Sequence, residues 1–600
     1  LWTLHYTRDN DDVNRFIGNV QLSYELADFL NLTYRIGLDR TNLLNNYMIN
    51  KNGVQGSAVL GLFATSNRNI MNYDQIVNLN GAVELSEDLD LDFLVGANLK
   101  SRDYELSQIT STDMFIFGFF DHSNFTTTTA NTYVSRENTY GAFANVTLGY
   151  RDWGFLTASA RNDWTSTLEP ENRSFLYPSV SLSVLPFDAL SVNNQNLNFL
   201  KVRFGFGTSA GYPPPYSTRG SLATATKVFQ TSGGATLNVN AVDNFYANPD
   251  LTPEIHKELE LGIEAKFLKN RVGLDVSLFT KDSEDLIIDL DLDNSTGYSS
   301  STVNSASINN KGIEAIVNVI PVQSRDFTWD VTGTFSLLRS EVISIADGID
   351  QIYVGGYIGR GNIAIPGLPY GILEGEVITR DYGDLDGTDH LQVHWDDRTN
   401  YTPIVNANGG YQFLGYGIIG NPQPDYIYSV TNSFTYKWVN LRVQFDSQVG
   451  GDVFSTTNST LLGRGILQET DFDRFVPVVT RGLTADGSPN TKQTTANAHY
   501  WPNTGVFYDE NSVYDASVMR LREVSLSLVA PSSFLNGTPF GSASLTLSAQ
   551  NIWHYAWNTP SGTNFDPEVI SYGAGNNARG FDEMTGPTAK KYGATLSLTF

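Results

Sequence analysis

Residues 590–600 read as one β-strand closing on an aromatic residue. Tyr592, Ala594, Leu596, Leu598 and Phe600 fall on one face, and Gly593, Thr595, Ser597 and Thr599 on the other. Side chains alternate with a period of two along a strand, so the segment has one apolar and one polar surface. The pattern recurs upstream. Leu259, Leu261, Ile263, Ala265 and Phe267 oppose Glu258, Glu260, Glu264 and Lys266. After a four-residue turn at 268–271, Val272, Leu274, Val276 and Leu278 oppose Asp275 and Ser277. Leu89, Leu91, Phe93 and Val95 repeat it, as do Phe327, Trp329 and Val331, and Val439, Leu441, Val443 and Phe445. Asp90, Asp92, Asp330, Arg442 and Asp446 sit between them. An apolar face toward lipid and a charged face toward water is the pattern of a transmembrane β-barrel. A half-exposed soluble sheet alternates in the same way.

No run of about 18 apolar residues occurs, so no helix is expected to cross a membrane. Aromatic residues make up 12% of the chain, with 30 Tyr and 34 Phe, which suits a barrel with aromatic girdles around a wet lumen. The net charge is −26, from 64 acidic and 38 basic residues. That balance argues against nucleic acid and against adsorption to anionic lipid, both of which need a basic footprint. There is no cysteine, which removes disulfides and thiolate metal sites, and the seven histidines form no cluster suited to zinc. No Gly-Xaa-Ser-Xaa-Gly or His-Glu-Xaa-Xaa-His sequence and no supported catalytic set is present, so the chain does not read as an enzyme.

Connection lengths sharpen the barrel reading. Tight connections are expected at 151–152, 268–271, 321–326, 437–438 and 530–542, with longer ones near 103–137, 210–255, 285–307, 341–424, 452–515 and 552–590. Bacterial barrels alternate in this way because short turns face the periplasm and long loops face outside. To keep this parity, 57–66 belongs to an outside loop or to the upper part of a long strand reaching Leu85. The expected fold is therefore all-β, a transmembrane antiparallel β-barrel with roughly 17–18 strands in this chain.

A set of short sequences then resembles one family. They include Arg161-Asn162-Asp163-Trp164-Thr165-Ser166, Tyr177-Pro178-Ser179-Val180-Ser181 and Leu200-Lys201-Val202-Arg203-Phe204-Gly205-Phe206-Gly207. They continue with Asn248-Pro249-Asp250-Leu251-Thr252-Pro253-Glu254, where the family usually has Trp at Pro253, and Asn309-Asn310-Lys311-Gly312-Ile313-Glu314. Gly420-Asn421-Pro422-Gln423-Pro424-Asp425-Tyr426, Arg520-Leu521-Arg522-Glu523-Val524, Gln550-Asn551-Ile552 and Asp566-Pro567-Glu568 complete the series. In this order they resemble the barrel of the SusC/RagA family of TonB-dependent outer-membrane transporters, typical of Bacteroidetes.

The resemblance implies an outer-membrane active importer of large nutrients, oligosaccharides or peptides. It would be energised through TonB, capped by a SusD-like lipoprotein and inserted by the barrel-assembly machinery, which would read Phe600. Such barrels have about 22 strands around a plug. The chain, 1–600, is thus expected to be the C-terminal part of the barrel. Four or five leading strands, the plug and the TonB box would lie outside it, and Trp2, Leu4 and Tyr6 would end a preceding strand. Gly207 and Gly312 are expected where larger lumenal side chains would crowd the wall. A non-transporting SusC-like structural subunit of a larger outer-membrane complex is the alternative. An extracellular polysaccharide-cleaving β-protein is disfavoured.

Two groups of candidate site residues follow. Asp384, Asp386 and Asp389 surround Gly387 as spaced oxygen donors that would suit Ca²⁺, the one cofactor considered, against a plain solvated acidic turn. Loop aromatics are candidates for cargo contact, because an apolar ring with a polar tip suits both sugars and peptides. Tyr500 and Trp501 lead, followed by Tyr508 and Trp395, with Tyr212, Tyr216, Tyr246 and Trp557 behind them.

Overall fold

A computed structural model describes residues 5–600, apart from 55, 193, 195, 221, 224–228, 231–235, 238–240, 358, 384–393, 504–508, 561, 564 and 569–578. Among the described residues seventeen strands have nine residues or more. They are β1 (Thr7–Ala27), β2 (Leu30–Ile49), β3 (Leu62–Ser86), β4 (Leu89–Met114), β5 (Phe125–Tyr150), β6 (Gly154–Thr165), β7 (Ser174–Val184) and β8 (Leu197–Gly211). Then come β9 (Glu254–Phe267), β10 (Val272–Asp291), β11 (Ser300–Gln323), β12 (Phe327–Ser344) and β13 (Tyr426–Tyr436). The last are β14 (Val439–Val449), β15 (Val518–Val529), β16 (Ser542–Tyr555) and β17 (Lys591–Thr599). The count agrees with the sequence reading, and no described helix is long and apolar enough to cross a membrane.

The chain forms two compact units. One comprises residues 1–184, 205–257 and 283–305; the other comprises 185–204, 258–282 and 306–600. In the first, β1 to β7 pair in sequence order, each antiparallel to the next. In the second, β11 to β17 do the same.

Turn chemistry explains the tight connections. At 151–153 both Arg151 (φ 47°) and Asp152 (φ 56°) are left-handed, and the Trp153 amide donates to the Tyr150 carbonyl at 3.2 Å. Two successive positive φ values match the right-handed twist of the flanking strands. At 268–271, Leu268, Lys269 and Asn270 are all left-handed. Lys437 closes the two-residue turn between β13 and β14 in the same way. The connections 185–196 and 530–541 each carry one short helix, Pro186–Ala189 and Ser532–Leu535.

Two expectations change. The segments 103–114 and 125–137 are strand, not loop: β4 and β5 stay in register from Leu89↔Tyr150 to Met114↔Phe125. Twenty-six residues extend roughly 85 Å at about 3.3 Å each, whereas about ten residues cross a bilayer, so such strands rise well beyond it. Likewise β10 and β11 leave only 292–299 between them. Residues 57–66 split into a short helix, Ser57–Leu60, and the start of β3, which is the long-strand alternative. Tyr6, expected at the end of a preceding strand, is helical and directly precedes β1, while Trp2 and Leu4 lie outside the described residues.

Most of the deepest apolar packing lies off the long strands, with Val342 and Val518 at strand ends as exceptions. Leu261, Ile263, Leu441 and Leu596 on them stay exposed, as a lipid-facing wall requires. Ile363, Ile372, Leu373, Val377, Phe454 and Phe581 are fully buried, and all belong to the long connections. Residues 345–425 contain a four-stranded sheet of Ile352–Tyr357, Arg360–Ala364, Ile372–Ile378 and Phe413–Gly420. Asp452–Ser455 adds a second, antiparallel to Val513–Asp515 and parallel to Phe581–Asp582. Phe454 and Phe581 meet at 5.4 Å between ring centroids. Burying one such side chain contributes about 1.5–3 kcal/mol, so these loops carry their own core.

Candidate functional site

The loop core ends in a cavity. The Ser455 hydroxyl donates to Asp582 Oδ2 at 2.7 Å and accepts from the Asn458 amide at 3.1 Å, which caps the helix Thr456–Gly463. Beyond that helix Gly465 is left-handed, with φ 69°. That left-handed backbone favours glycine, and the Arg474 guanidinium rests beside it and donates to the Gly465 carbonyl. A second helix, Ala496–Asn503, brings Tyr500 to Phe472, with ring centroids 6.0 Å apart and planes at 39°. Leu462, Phe472, Arg474, Ala496 and Tyr500 line a cavity of about 170 Å³. Burial, with Glu469 nearby, pushes the Tyr500 phenol above its usual value, so it stays a neutral hydroxyl. Behind it His499 faces the Thr480 hydroxyl at 2.9 Å, and burial holds the imidazole below its usual value, in the neutral form.

Buried ion pairs hold the surrounding loops. Arg360 reaches Asp509 through Nη2–Oδ1 at 2.6 Å and Nε–Oδ2 at 3.0 Å, while the Glu376 amide donates to the same Oδ2 at 3.0 Å. Glu510 lies 2.6 Å from Arg380 and 3.9 Å from Arg398. Burial pushes both carboxyls up, and the arginines oppose it. Residues 509–510 are thus clamped to three arginines of the 345–425 segment.

Asp452, directly after the left-handed pair Gly450 and Gly451, accepts the Asn421 amide at 2.7 Å. Its own amide donates to the Asn421 carbonyl at 2.7 Å. Burial, with Asp396, Asp515 and Asp425 adding to it, pushes its carboxyl up to about 6.

A further cluster gives physical content to two of the family-like sequences. Arg522 sits at a β-bulge against both β14 and β16. It grips Asp446 with two bonds of 2.7 and 2.9 Å, and Arg520 reaches the same carboxylate at 3.3 Å. Asp566 lies 2.8 Å from Arg520, and Glu568 3.0 Å from Arg522. Burial pushes the Asp566 carboxyl up, but Arg520 outweighs it and holds the group below its usual range. The Asp-Pro-Glu turn is therefore a clasp over the Arg-Leu-Arg of β15.

The predicted site residues separate. Tyr500 lines the cavity. Trp501 lies on the same helix. Trp395 opens a separate short helix, Trp395–Asn400, and stacks on His394 at 3.7 Å, away from the lining. Tyr508, Asp384, Asp386 and Asp389 lie outside the described residues. Among the described residues no group of three or more acidic or histidine side chains is placed to hold a metal ion. Phe600 follows β17, with its ring 5.1 Å from that of Phe540. Phe472, Gly465 and Arg474 escaped the sequence reading. The run Asp471-Phe472-Asp473-Arg474-Phe475, an aromatic and a base among acids, was the signal.

Comparison with known proteins decides the family. The family described as "TonB dependent receptor-like, beta-barrel" matches residues 2–446. The chain belongs to this family. Its members are outer-membrane receptors and transporters, and the fold is their β-barrel. TonB-dependent receptor P3 of Formosa agariphila is 26% identical over 497 residues, 78% of this chain and 46% of that protein. TonB-dependent receptor SusC of Bacteroides thetaiotaomicron is 24% identical over 243 residues, 38% of this chain and 24% of SusC. The chain spans about half the length of the curated relatives it matches first. A solved structure described as the RagAB peptide transporter superposes with a TM-score of 0.74 at 18% identity, covering 99% of this chain and 63% of that one. The SusC/RagA resemblance read from the short sequences thus agrees with family, relatives and fold.

Proposed function

We propose that this chain is the barrel part of an outer-membrane importer of large nutrients, peptides or oligosaccharides, driven through TonB and working with a SusD-like lipoprotein. The observation that carries the reading is the folded loop assembly. Three long connections share a hydrophobic core and buried ion pairs, and they present an aromatic cavity. Loops that only closed a wall would not need their own core, whereas a preorganised surface lowers the entropy that cargo binding must overcome. Family membership supports transport, and the fold likeness to RagAB supports a peptide-sized cargo. Deleting the gene from its host and following labelled oligopeptides and oligosaccharides in the medium tests this. Uptake of at least one class should fall and return on complementation. Unchanged uptake of both would favour the structural-subunit alternative.

A further inference from the structure

We infer that the Phe472–Tyr500 cavity is a subsite for the carboxyl-terminal residue of a peptide, with an apolar side chain inside and the α-carboxylate on Arg474. The inference rests on the import reading and gives its cargo an end group. Four observations lead to it.

The cavity has the right size. Its 170 Å³ is close to the roughly 150 Å³ of a protein cavity that accepts one benzene ring, so it fits a single apolar side chain and not a chain of them. Its walls have the right chemistry. Leu462, Ala496, Phe472 and Tyr500 offer apolar and aromatic surface, and two rings 6.0 Å apart can hold a third group by edge or face.

The charge sits at the exposed rim of the cavity. Arg474 spends one donor on the Gly465 carbonyl, which holds the guanidinium beside the wall. A guanidinium has five N–H donors in a planar fork that matches a carboxylate bidentately. Among the described residues no carboxylate pairs with Arg474, whereas Arg360, Arg380, Arg520 and Arg522 each have one. The adjacent Asp473 turns back to accept the Phe475 amide at 3.0 Å.

The ligand class follows from how charge and apolar surface are joined. Arg464 lines the cavity beside Arg474, and Glu469 lies close enough to act on Tyr500. A peptide carboxyl terminus joins one apolar side chain to one carboxylate on the same carbon. A sulfated or multiply charged glycan brings repeated charge and little apolar surface.

The test is titration of the intact protein in detergent with the pentapeptide Ala-Ala-Ala-Ala-Phe, its carboxy-terminal amide, Ala-Ala-Ala-Ala-Gly and a trigalacturonate. The free acid should bind at least about tenfold more tightly than the amide, and the Phe peptide about tenfold more tightly than the Gly peptide. Arg474→Gln should abolish the acid-to-amide ratio and leave the Phe-to-Gly ratio. Arg474→Lys, which keeps the charge without the fork, should give an intermediate acid-to-amide ratio. Phe472→Ala should reduce the Phe-to-Gly ratio instead. Equal binding of acid and amide, an acid-to-amide ratio unchanged in Arg474→Gln, or an Arg474-dependent preference for trigalacturonate would overturn the inference. Intact ratios together with gene-independent peptide uptake would overturn import and leave the subsite standing.

Discussion

Replacing Asp452 by Asn should tighten the loop assembly at neutral pH and loosen it slightly at low pH. Asp452 joins the start of the 450–517 segment to Asn421 through two 2.7 Å bonds, one from its carboxylate and one from its amide. Its carboxyl is raised from 3.8 to about 6 by burial. A raised carboxyl favours the protonated folded form. The cost is absent below pH ~4, grows as pH rises through the folded value, and is complete above pH ~7. Two units at 1.36 kcal/mol each give a penalty of about 3 kcal/mol. Asn keeps the acceptor for the Asn421 amide but brings an NH₂ that needs a partner, which costs about 1 kcal/mol. The net gain is about 2 kcal/mol, or roughly thirtyfold in the local opening constant. Hydrogen exchange of peptides covering 415–426 and 450–456 reads that opening directly. At pH 7.5 the variant should exchange roughly thirtyfold more slowly than the parent, and at pH 4 about fivefold faster, because only the amide penalty remains. Equal exchange at pH 7.5, or the same ratio at both pH values, would refute the assignment of the penalty to this buried charge.

Three further outcomes follow from the geometry. Glu510→Gln should loosen the 345–425 segment by about 3–5 kcal/mol, because it removes the buried charge that faces Arg380 at 2.6 Å and Arg398 at 3.9 Å. Limited proteolysis should then cut within that segment while heat-modifiable gel mobility persists. Gly312→Ala should lower the urea midpoint, at a cost of about 1–3 kcal/mol, since its Cβ would meet Phe279 Cζ at 2.3 Å. Gly207→Ala should be nearly neutral, with Ser179 Cβ at an ordinary 3.7 Å. Asp566→Ala should free the Asp-Pro-Glu turn while Asp446 still neutralises Arg520, so faster exchange should be confined to peptides around 565–568.

The sequence made the tight hairpins legible because each is local. The 268–271 and 437–438 connections lie between strands whose alternation fixes both ends. The polar tops of β4 and β5 were not legible. Ser107, Thr110, Ser111 and Thr127–Thr129 face no lipid, so the apolar half of the alternation disappears and only β-branched propensity remains. Gly207 was expected to be crowded like Gly312, but only Gly312 is, because crowding depends on where the Phe279 ring turns. In the site, Tyr500 stood out as an aromatic in a long polar segment. Arg474 did not, because its role depends on the left-handed Gly465 nine residues earlier. Asp452, Asp509 and Glu510 were hidden among 64 acidic residues and differ from them only by burial.

We propose that the folded loops serve energised uptake. The most direct measurement is the rate at which host cells take up a labelled peptide mixture, with and without a proton uncoupler, in the parent and in the gene deletion. Uptake that needs both the gene and the proton gradient is the predicted result. Uptake that needs the gene but ignores the uncoupler would contradict it and leave a passive or structural barrel.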